Sequence, residues 1–166
     1  MKFILRKSEL SELDIAFDIL RSAAKTLDDK NIDQWYYWLD PPIEKINWVK
    51  KGFKNKEFFF IENESGDIMG MVRVSSEDLT YWGQMNEKAN YVHSLIIKEN
   101  YAGNKLGLEV LRYIEKETLK NNIHLIRLDC DSTNESLCAY YENKGFKKVG
   151  QKVLALGKYN LYEKQL

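Results

Sequence analysis

The stretch that decides the fold is Asn90–Gly107, which reads NYVHSLIIKENYAGNKLG. Its first part is rich in β-branched and aromatic side chains, and its length suits a buried strand. A short loop containing Gly103 follows, and a helical stripe of Leu106, Val110 and Leu111 comes directly after it. The segment therefore predicts a central strand, a glycine-containing turn and a helix, in that order.

A second strand is predicted after this helix. The stripe ends near the polar KNN, and the apolar run IHLIRLDC, residues 123–130, follows. A strand, a helix and a further strand indicate one parallel crossover, which is right-handed by the usual rule. In an open sheet, such a crossover is where a ligand crevice forms.

The flanking regions supply the remaining elements. FILR reads as a strand, a helical stripe runs from Leu13 to Leu27, and Pro41 and Pro42 suit the start of a second helix. EFFFIE and IMGMVRV flank the turn NESGD as in an antiparallel hairpin. Residues 134–144 predict a short helix, and FKKVGQKVLAL and YNLYEKQL predict two closing strands. We therefore expect an α/β (α+β mixed) fold, a mixed sheet with helices on its faces, in a single domain over residues 1–166.

Composition excludes several classes of function. The chain has 166 residues, with 25 basic and 25 acidic side chains, so no excess positive field would attract nucleic acid or an acidic membrane. No apolar run approaches the length of a membrane span. Cys130 and Cys138 make no disulfide framework, and with His93 and His124 they lack the spacing of a zinc site. We expect a cytoplasmic protein with no metal, no nucleic-acid partner and no membrane partner.

The loop before the predicted helix has features of a phosphate site. Free backbone N–H groups at a helix start bind phosphate, and the helix dipole adds to this. Gly103 allows the turn, Gly107 permits close approach of a ligand, and Lys105 adds positive charge. GNKLG lacks the three-glycine spacing of a dinucleotide fingerprint, and an ordinary turn fits the same residues. A second polar segment, NESLCAYYENKGF, stands at residues 134–146, and a parallel crossover would bring both segments to one edge.

Together these segments resemble the acetyl-CoA-binding core of the GNAT acyltransferases over residues 91–150. In that family a loop of Arg or Gln, two residues, Gly, one residue, and Gly or Ala wraps the pyrophosphate, and an Asn and a Tyr seven apart precede a Gly-Phe pair. Gly107 fits the last position of the loop, whereas Ala102 and Lys105 depart from it. The second element is matched at every spacing by Asn134, Tyr141, Gly145 and Phe146.

The resemblance implies an acetyl-CoA-dependent N-acetyltransferase acting on a primary amine of a small molecule or peptide. It also implies a mostly antiparallel mixed sheet of six to seven strands with about four helices. The backbone of Leu95 and Ile97 would pair with the pantetheine arm, the loop at 102–107 would hold the pyrophosphate, and Asn134 would bind the amide portion. The cofactor-binding residues that it implies are Leu95, Ile96, Ile97, Ala102, Gly103, Asn104, Lys105, Leu106, Gly107, Asn134, Tyr140 and Tyr141.

Acetyl transfer to an amine requires a proton donor for the leaving thiolate and a proton acceptor for the amine. Tyr141 is the candidate acid, because an ordinary phenol stays protonated at neutral pH. His93 is the candidate base, since strand alternation predicts that it shares a face with Leu95 and Ile97. A packing role fits His93 equally well, and Glu62 and Glu142 are alternative bases.

Aromatic side chains are candidates for the acceptor pocket, because aromatic faces attract ammonium groups. The predicted substrate-binding residues are Trp35, Tyr36, Trp38, Tyr81 and His93. Exposed aromatics and terminal strands would also permit a homodimer. The departures at Ala102 and Lys105 leave open a non-catalytic CoA-binding sensor or an interaction module on the same fold.

Overall fold

The computed structural model describes residues 2–166. Contacts within the chain group them into two compact units. One unit comprises the residues up to Val74 together with Ser94–Val110, and the other comprises Ser75–His93 together with Leu111–Leu166. Within residues 2–166, no helix is long and apolar enough to cross a bilayer. The single domain over residues 1–166 stays a prediction.

Residues 2–166 form seven strands and four α-helices, in the predicted order of strands and helices. The strands are β1 (Ile4–Lys7), β2 (Phe58–Glu62), β3 (Ile68–Ser75), β4 (Asn90–Ile97), β5 (Leu125–Asp131), β6 (Lys147–Leu154) and β7 (Gly157–Gln165). The helices are α1 (Leu13–Asp29), α2 (Ile43–Lys54), α3 (Leu106–Lys120) and α4 (Glu135–Glu142).

The strands follow the order β1-β2-β3-β4-β5-β7-β6 in one sheet. The registered pairs β1–β2, β2–β3, β5–β7 and β6–β7 are antiparallel, and β4–β5 is parallel. The predicted mixed, mostly antiparallel sheet is therefore confirmed. The parallel pair is also the predicted crossover, since α3 lies between its two strands in the chain.

The first unit has its core between α1, α2 and the strands β2 and β3. Leu20 of α1 and Phe53 of α2 are completely buried, and Phe58 and Phe60 of β2 pack with them. Burying each such side chain contributes about 2 kcal/mol before entropy is counted. Gly70 brings β3 close to β4, because a Cβ atom there would clash with the carbonyl oxygen of Ile96. An alanine at this position would push the two backbones apart.

The second unit is organised around β5, which pairs with β7 from Leu125 to Asp131. The registered pairing of β4 with β5 is much shorter and joins Asn90–Val92 to Ile126–Leu128. His93 and Asp129 are the first residues beyond this paired part. The registered pairing of the two parallel strands therefore ends one residue before each of these two polar side chains.

The strand β4 departs from regular geometry just after His93. Ser94 has a φ of 49°, which lies in the left-handed region. Strand alternation holds only while the backbone stays extended. The prediction that His93 shares a face with Leu95 and Ile97 therefore loses its basis, because the backbone of Ser94 between them is not extended.

Candidate active site

The predicted pyrophosphate loop lies in the first unit, immediately before α3. Residues 102–105 are exposed, and Gly103 has a φ of 84°. Lys105 has a φ of 58°, in the left-handed region. Glycine adopts this region without strain, whereas for other residues it costs about 1 kcal/mol or more of conformational energy. This backbone conformation explains why the family pattern has glycine at this position. Lys105 keeps the turn at a cost that glycine would avoid.

The same loop fits a phosphate group. The helix α3 begins at Leu106 and has 15 residues, so its first turn presents N–H groups and the positive end of its dipole. Leu106 is buried by its side chain, which leaves its backbone to make any contact. A Cβ atom on Gly107 would meet only Ile97 Cγ1, at 3.7 Å, so a bulky group can approach this turn closely. The residues present are therefore able to hold the pyrophosphate of acetyl-CoA.

The predicted pantetheine-binding residues follow Ser94 in β4. Leu95 and Ile97 are half-buried, whereas Ile96 is buried in the hydrophobic core of the first unit. Ile96 is thus committed to packing through its side chain. Any contact of this residue with the cofactor would come from its backbone.

The helix α4 positions the predicted residues of the second unit. Asn134 caps α4, because its Oδ1 accepts a hydrogen bond of 3.0 Å from the backbone N–H of Leu137. Tyr141 is half-buried, and its ring packs against Tyr140 and Phe146 at centroid distances of 5.4 and 5.7 Å. Burial raises the pKa of the Tyr141 phenol above its ordinary value. The phenol therefore keeps its proton over the whole neutral range.

His93 is clamped between two carboxylates in the second unit. Its Nε2 lies 3.3 Å from Asp78 Oδ2, and its Nδ1 lies 3.2 Å from Asp129 Oδ1. The other oxygen of Asp78 accepts hydrogen bonds of 3.1 Å from the backbone N–H groups of Thr80 and Tyr81. All three members of the clamp have side chains that are at most one-tenth exposed. Asp78, His93 and Asp129 are called the histidine clamp below.

The clamp changes the acidity of His93. Burial alone would lower the pKa of this imidazole, but the carboxylates of Asp129 and Asp78 outweigh burial and raise it to about 9. The pKa of Asp78 is lowered: burial opposes ionisation, and the contact with His93 outweighs that opposition. At neutral pH the clamp therefore holds His93 as an imidazolium between two carboxylates. His93 can take a proton from an amine only after the imidazolium has lost its own.

The clamp also offers ligand atoms for a metal ion. One atom from each of its three residues lies within 4.8 Å of the others. The two carboxylates, however, approach opposite nitrogens of one imidazole ring. A single ion binds only one of those nitrogens. The geometry therefore matches a doubly paired imidazolium better than a three-ligand metal site.

The predicted acceptor-pocket residues separate into two groups. In the first unit, Tyr36 is two-thirds exposed, Trp35 has a left-handed φ of 65°, and Trp38 is buried in the core. Trp38 therefore serves packing and is not available to an acceptor. In the second unit, Tyr81 is buried, with its ring centroid 6.0 Å from that of His93. The structure thus brings together one aromatic candidate and the candidate base.

The alternative bases are both engaged elsewhere. Glu62 accepts a hydrogen bond of 2.7 Å from Arg6 Nε, so its charge is neutralised by a guanidinium. Glu142 is exposed and accepts a hydrogen bond of 2.9 Å from the hydroxyl of Tyr162. Both carboxylates therefore serve contacts within the fold.

Sequence reasoning missed Asp78 and Asp129. Asp129 alternates with Arg127 and Asp131 on β5, and this spacing placed it on the same face as other polar residues. Asp78 lies in a polar stretch with no distinguishing pattern. Only the contact with His93 separates it from the neighbouring acidic residues.

The two cysteines are free and buried, with their sulfur atoms 3.4 Å apart. Burial raises the pKa of the Cys130 thiol well above its ordinary value. A thiol that stays protonated is a poor nucleophile. Cys130 therefore serves packing and not nucleophilic chemistry.

Comparisons with known proteins identify the family of this chain. The acetyltransferase (GNAT) family profile matches residues 20–146. Over 153 residues the chain is 29% identical to the uncharacterized N-acetyltransferase YesJ of Bacillus subtilis strain 168, covering 89% of this chain and 82% of that protein.

Solved structures share the fold. A GNAT-family acetyltransferase from Listeria monocytogenes 4b F2365 superposes with a TM-score of 0.81 at 24% identity, covering 99% of this chain and 95% of that one. The PaiA N-acetyltransferase of Thermoplasma acidophilum, solved in complex with coenzyme A, gives 0.65 at 19% identity and covers both chains completely. The family match spans well over half of the chain, and the chain therefore belongs to the GNAT family as an acetyl-CoA-dependent N-acetyltransferase.

Proposed function

We propose that the acceptor is a primary amine of a small molecule or peptide, that Tyr141 is the general acid, and that His93 is the general base. The observation that carries this proposal is that one unit contains both a phenol that keeps its proton and a histidine clamped by carboxylates. These are the two proton-transfer roles that acetyl transfer to an amine requires.

The first unit would hold the cofactor. The backbone at residues 102–107 would contact the pyrophosphate, with Lys105 adding positive charge, and the backbone of Leu95 and Ile97 would bind the pantetheine arm. When bound, acetyl-CoA supplies the acetyl thioester. Asn134 and Tyr140, in the second unit, stay predicted cofactor-binding residues, and the capping bond gives Asn134 a structural role in α4 as well.

Tyr141 would deliver the proton that the leaving thiol needs. Its Oη–H stays protonated because burial disfavours the phenolate. Packing against Phe146 and Tyr140 restrains the Tyr141 ring, so the phenol loses little orientational freedom when the reaction occurs.

His93 would receive a proton from the acceptor. An alkylammonium has a pKa of about 10, so it must lose a proton before its nitrogen can attack. One N–H bond of the ammonium breaks, and one N–H bond forms on the imidazole. The two carboxylates stabilise the imidazolium that results. Tyr81, in the same unit as His93, is the proposed acceptor contact through its aromatic face, and Tyr36 in the first unit stays a prediction.

The test combines cofactor binding with turnover. We would titrate the protein with acetyl-CoA by calorimetry and then follow thiol release with a panel of primary amines. Tyr141→Phe should lower kcat by about 100-fold or more while acetyl-CoA binding is retained. Tyr113→Phe, which changes a half-exposed tyrosine on α3, is the matched control and should turn over like the parent chain. Binding without amine-dependent thiol release would instead favour a CoA sensor.

We also propose that the protein acts in the cytoplasm. The support is that both cysteines are free, with sulfur atoms in contact but not bonded. A homodimer stays a prediction.

A further inference from the structure

We propose that Asp78 and Asp129 are positioning residues that hold His93 between two carboxylates and thereby set the pH at which the acceptor amine can be deprotonated. This inference rests on the proposed function, because it assigns roles to the neighbours of the proposed base. Both ring nitrogens face a carboxylate oxygen, at 3.3 Å from Asp78 and 3.2 Å from Asp129, so an acceptor proton reaches the imidazole only where one of these oxygens gives way.

The clamp is built from both sides of the imidazole. Asp129 follows directly after the last registered β4–β5 pair, which is Val92 with Leu128. This position places its Oδ1 at 3.2 Å from His93 Nδ1. A carboxylate on one ring nitrogen orients the ring and makes the other nitrogen more basic.

Asp78 holds the opposite nitrogen. It lies in the segment between β3 and β4, and its Oδ1 is fixed by the backbone N–H groups of Thr80 and Tyr81 at 3.1 Å. Its Oδ2 is left to face His93 Nε2 at 3.3 Å. Because the backbone holds one oxygen, the second oxygen has a defined place before any substrate binds.

The clamp is not a saturated hydrogen-bond network. Among residues 2–166, the buried side-chain atoms that lack a hydrogen bond of regular geometry are Asp78 Oδ2, Asp129 Oδ1 and Trp82 Nε1. Two of the three are the oxygens that face His93. A buried carboxylate oxygen without a good donor is costly unless a charge compensates it. The positive charge of the imidazolium therefore stabilises the two buried carboxylates. When His93 loses its proton, the two negative charges are left close together without it.

Other titratable groups around His93 do not replace the clamp. Tyr81, from the same segment as Asp78, contacts the imidazole through its ring and is neutral at ordinary pH. Tyr141 lies near Asp129 and keeps its proton. Asp78 and Asp129 bring carboxylates to contact distance of both ring nitrogens of His93.

This arrangement has a defined kinetic consequence. His93 takes up a proton only when it is neutral, and the clamp favours the protonated form up to a pKa of about 9. kcat/KM should therefore rise with pH and level off above about 9. Removing either carboxylate should move this rise to lower pH, because one of the two stabilising charges is gone.

The experiment measures the protonation of His93 directly. The chain has only two histidines, so the imidazole resonances of the full-length protein can be followed by NMR, with His124→Gln assigning the signals. We expect His93 to titrate near pH 9. Asp78→Asn and Asp129→Asn should each lower the midpoint by about one pH unit or more. The pH at which kcat/KM levels off should fall by the same amount.

A matched control is available on the same strand. Asp131 lies two residues beyond Asp129 on β5, and its carboxylate bonds Thr133 instead of a histidine. Asp131→Asn should leave the His93 midpoint unchanged. A shift of equal size in this variant would show that any lost carboxylate has the effect, and it would overturn the specific roles of Asp78 and Asp129.

Three further outcomes would overturn the proposal. One is a midpoint near 6.5 in the parent chain, and another is an unchanged midpoint in both aspartate variants. The third is a midpoint that moves when EDTA is added, since that would indicate a metal site at the clamp. If the midpoint is near 9 but no amine is acetylated, the clamp stands and the roles assigned to His93 and Tyr141 fail.

Discussion

Two neighbouring side-chain pairs on β4 and β5 each contain a buried cation, and the two cations differ in the hydrogen bonds that their partners accept. Tyr91 and Arg127 face each other in register, and His93 and Asp129 come two residues later on the same two strands. Arg127 is 1% exposed and donates hydrogen bonds of 2.7 Å to Glu163, 2.9 Å to Tyr91 and 2.9 Å to Glu87. At the clamp, by contrast, the two oxygens that face His93 accept no hydrogen bond of regular geometry.

The difference separates a group that stabilises the fold from one that can react. Burial opposes the charge of Arg127, but its bonds to Tyr91 and Glu163 outweigh this and raise its pKa above the ordinary value. Arg127 therefore carries its charge at every accessible pH. His93, two residues after Tyr91 on β4, is also a buried cation, but it loses its proton near pH 9. The neutral imidazole can then accept a proton.

The largest effect is expected when Arg127 is removed from its hydrogen bonds with Glu163, Tyr91 and Glu87. Arg127→Met should lower the free energy of unfolding by about 3 to 5 kcal/mol, because Glu163 and Tyr91 lose their buried partner. Urea denaturation of both proteins measures this. Arg21→Met, which removes an exposed ion pair with Asp18, is the control and should change stability by less than about 1 kcal/mol. Equal losses in the two variants would remove the contrast between Arg127 and a surface arginine.

The second effect concerns the pH dependence of stability at the clamp. The pKa of His93 is raised on folding, so its contribution is fully present below about pH 6.5 and is lost as the pH rises through about 9. The difference between these values corresponds to roughly 3 kcal/mol at most. The unfolding free energy of the parent chain minus that of His93→Gln should therefore fall over this range. A difference that stays constant from pH 6 to pH 10, taken as approximate limits, would mean that His93 is not paired as an imidazolium.

The smallest effect separates the partners of Arg127 from each other. Glu87 is two-thirds exposed, whereas Glu163 is about one-quarter exposed. Glu87→Gln should change the free energy of unfolding by less than about 1 kcal/mol, because water screens its charge. Glu163→Gln should cost more than Glu87→Gln in the same urea assay, since its charge is better shielded from solvent. The reverse order would show that exposure does not rank these two pairs.

Much of the fold could be predicted because its signals are local. The bounds of β4 match the predicted strand, and the hairpin of β2 and β3 surrounds the predicted turn. Helix ends shifted by one or two residues: α4 covers Glu135–Glu142 where residues 134–144 were predicted. These elements follow from periodicity, turn residues and caps, which act over a few residues.

The site was only partly predictable. Asn134 and Tyr141 stand at a spacing that the family pattern specifies, so their helix could be recognised. Nothing in the sequence around Ser94 indicated its left-handed φ. This irregularity in β4 ends the alternation that linked His93 to Leu95. Trp38 carried an aromatic pattern typical of a pocket but is buried in the core, because packing and ligand binding draw on the same residue types.

The amino-acid sequence by itself determined the order of elements, the parallel crossover and membership of the GNAT family, because each depends on short patterns and spacings. Tertiary structure alone decided the state of His93. Asp78 is 15 residues before it and Asp129 is 36 residues after it in the chain. The pKa of a buried group is set by the charges within a few ångströms of it, and folding chooses which charges those are.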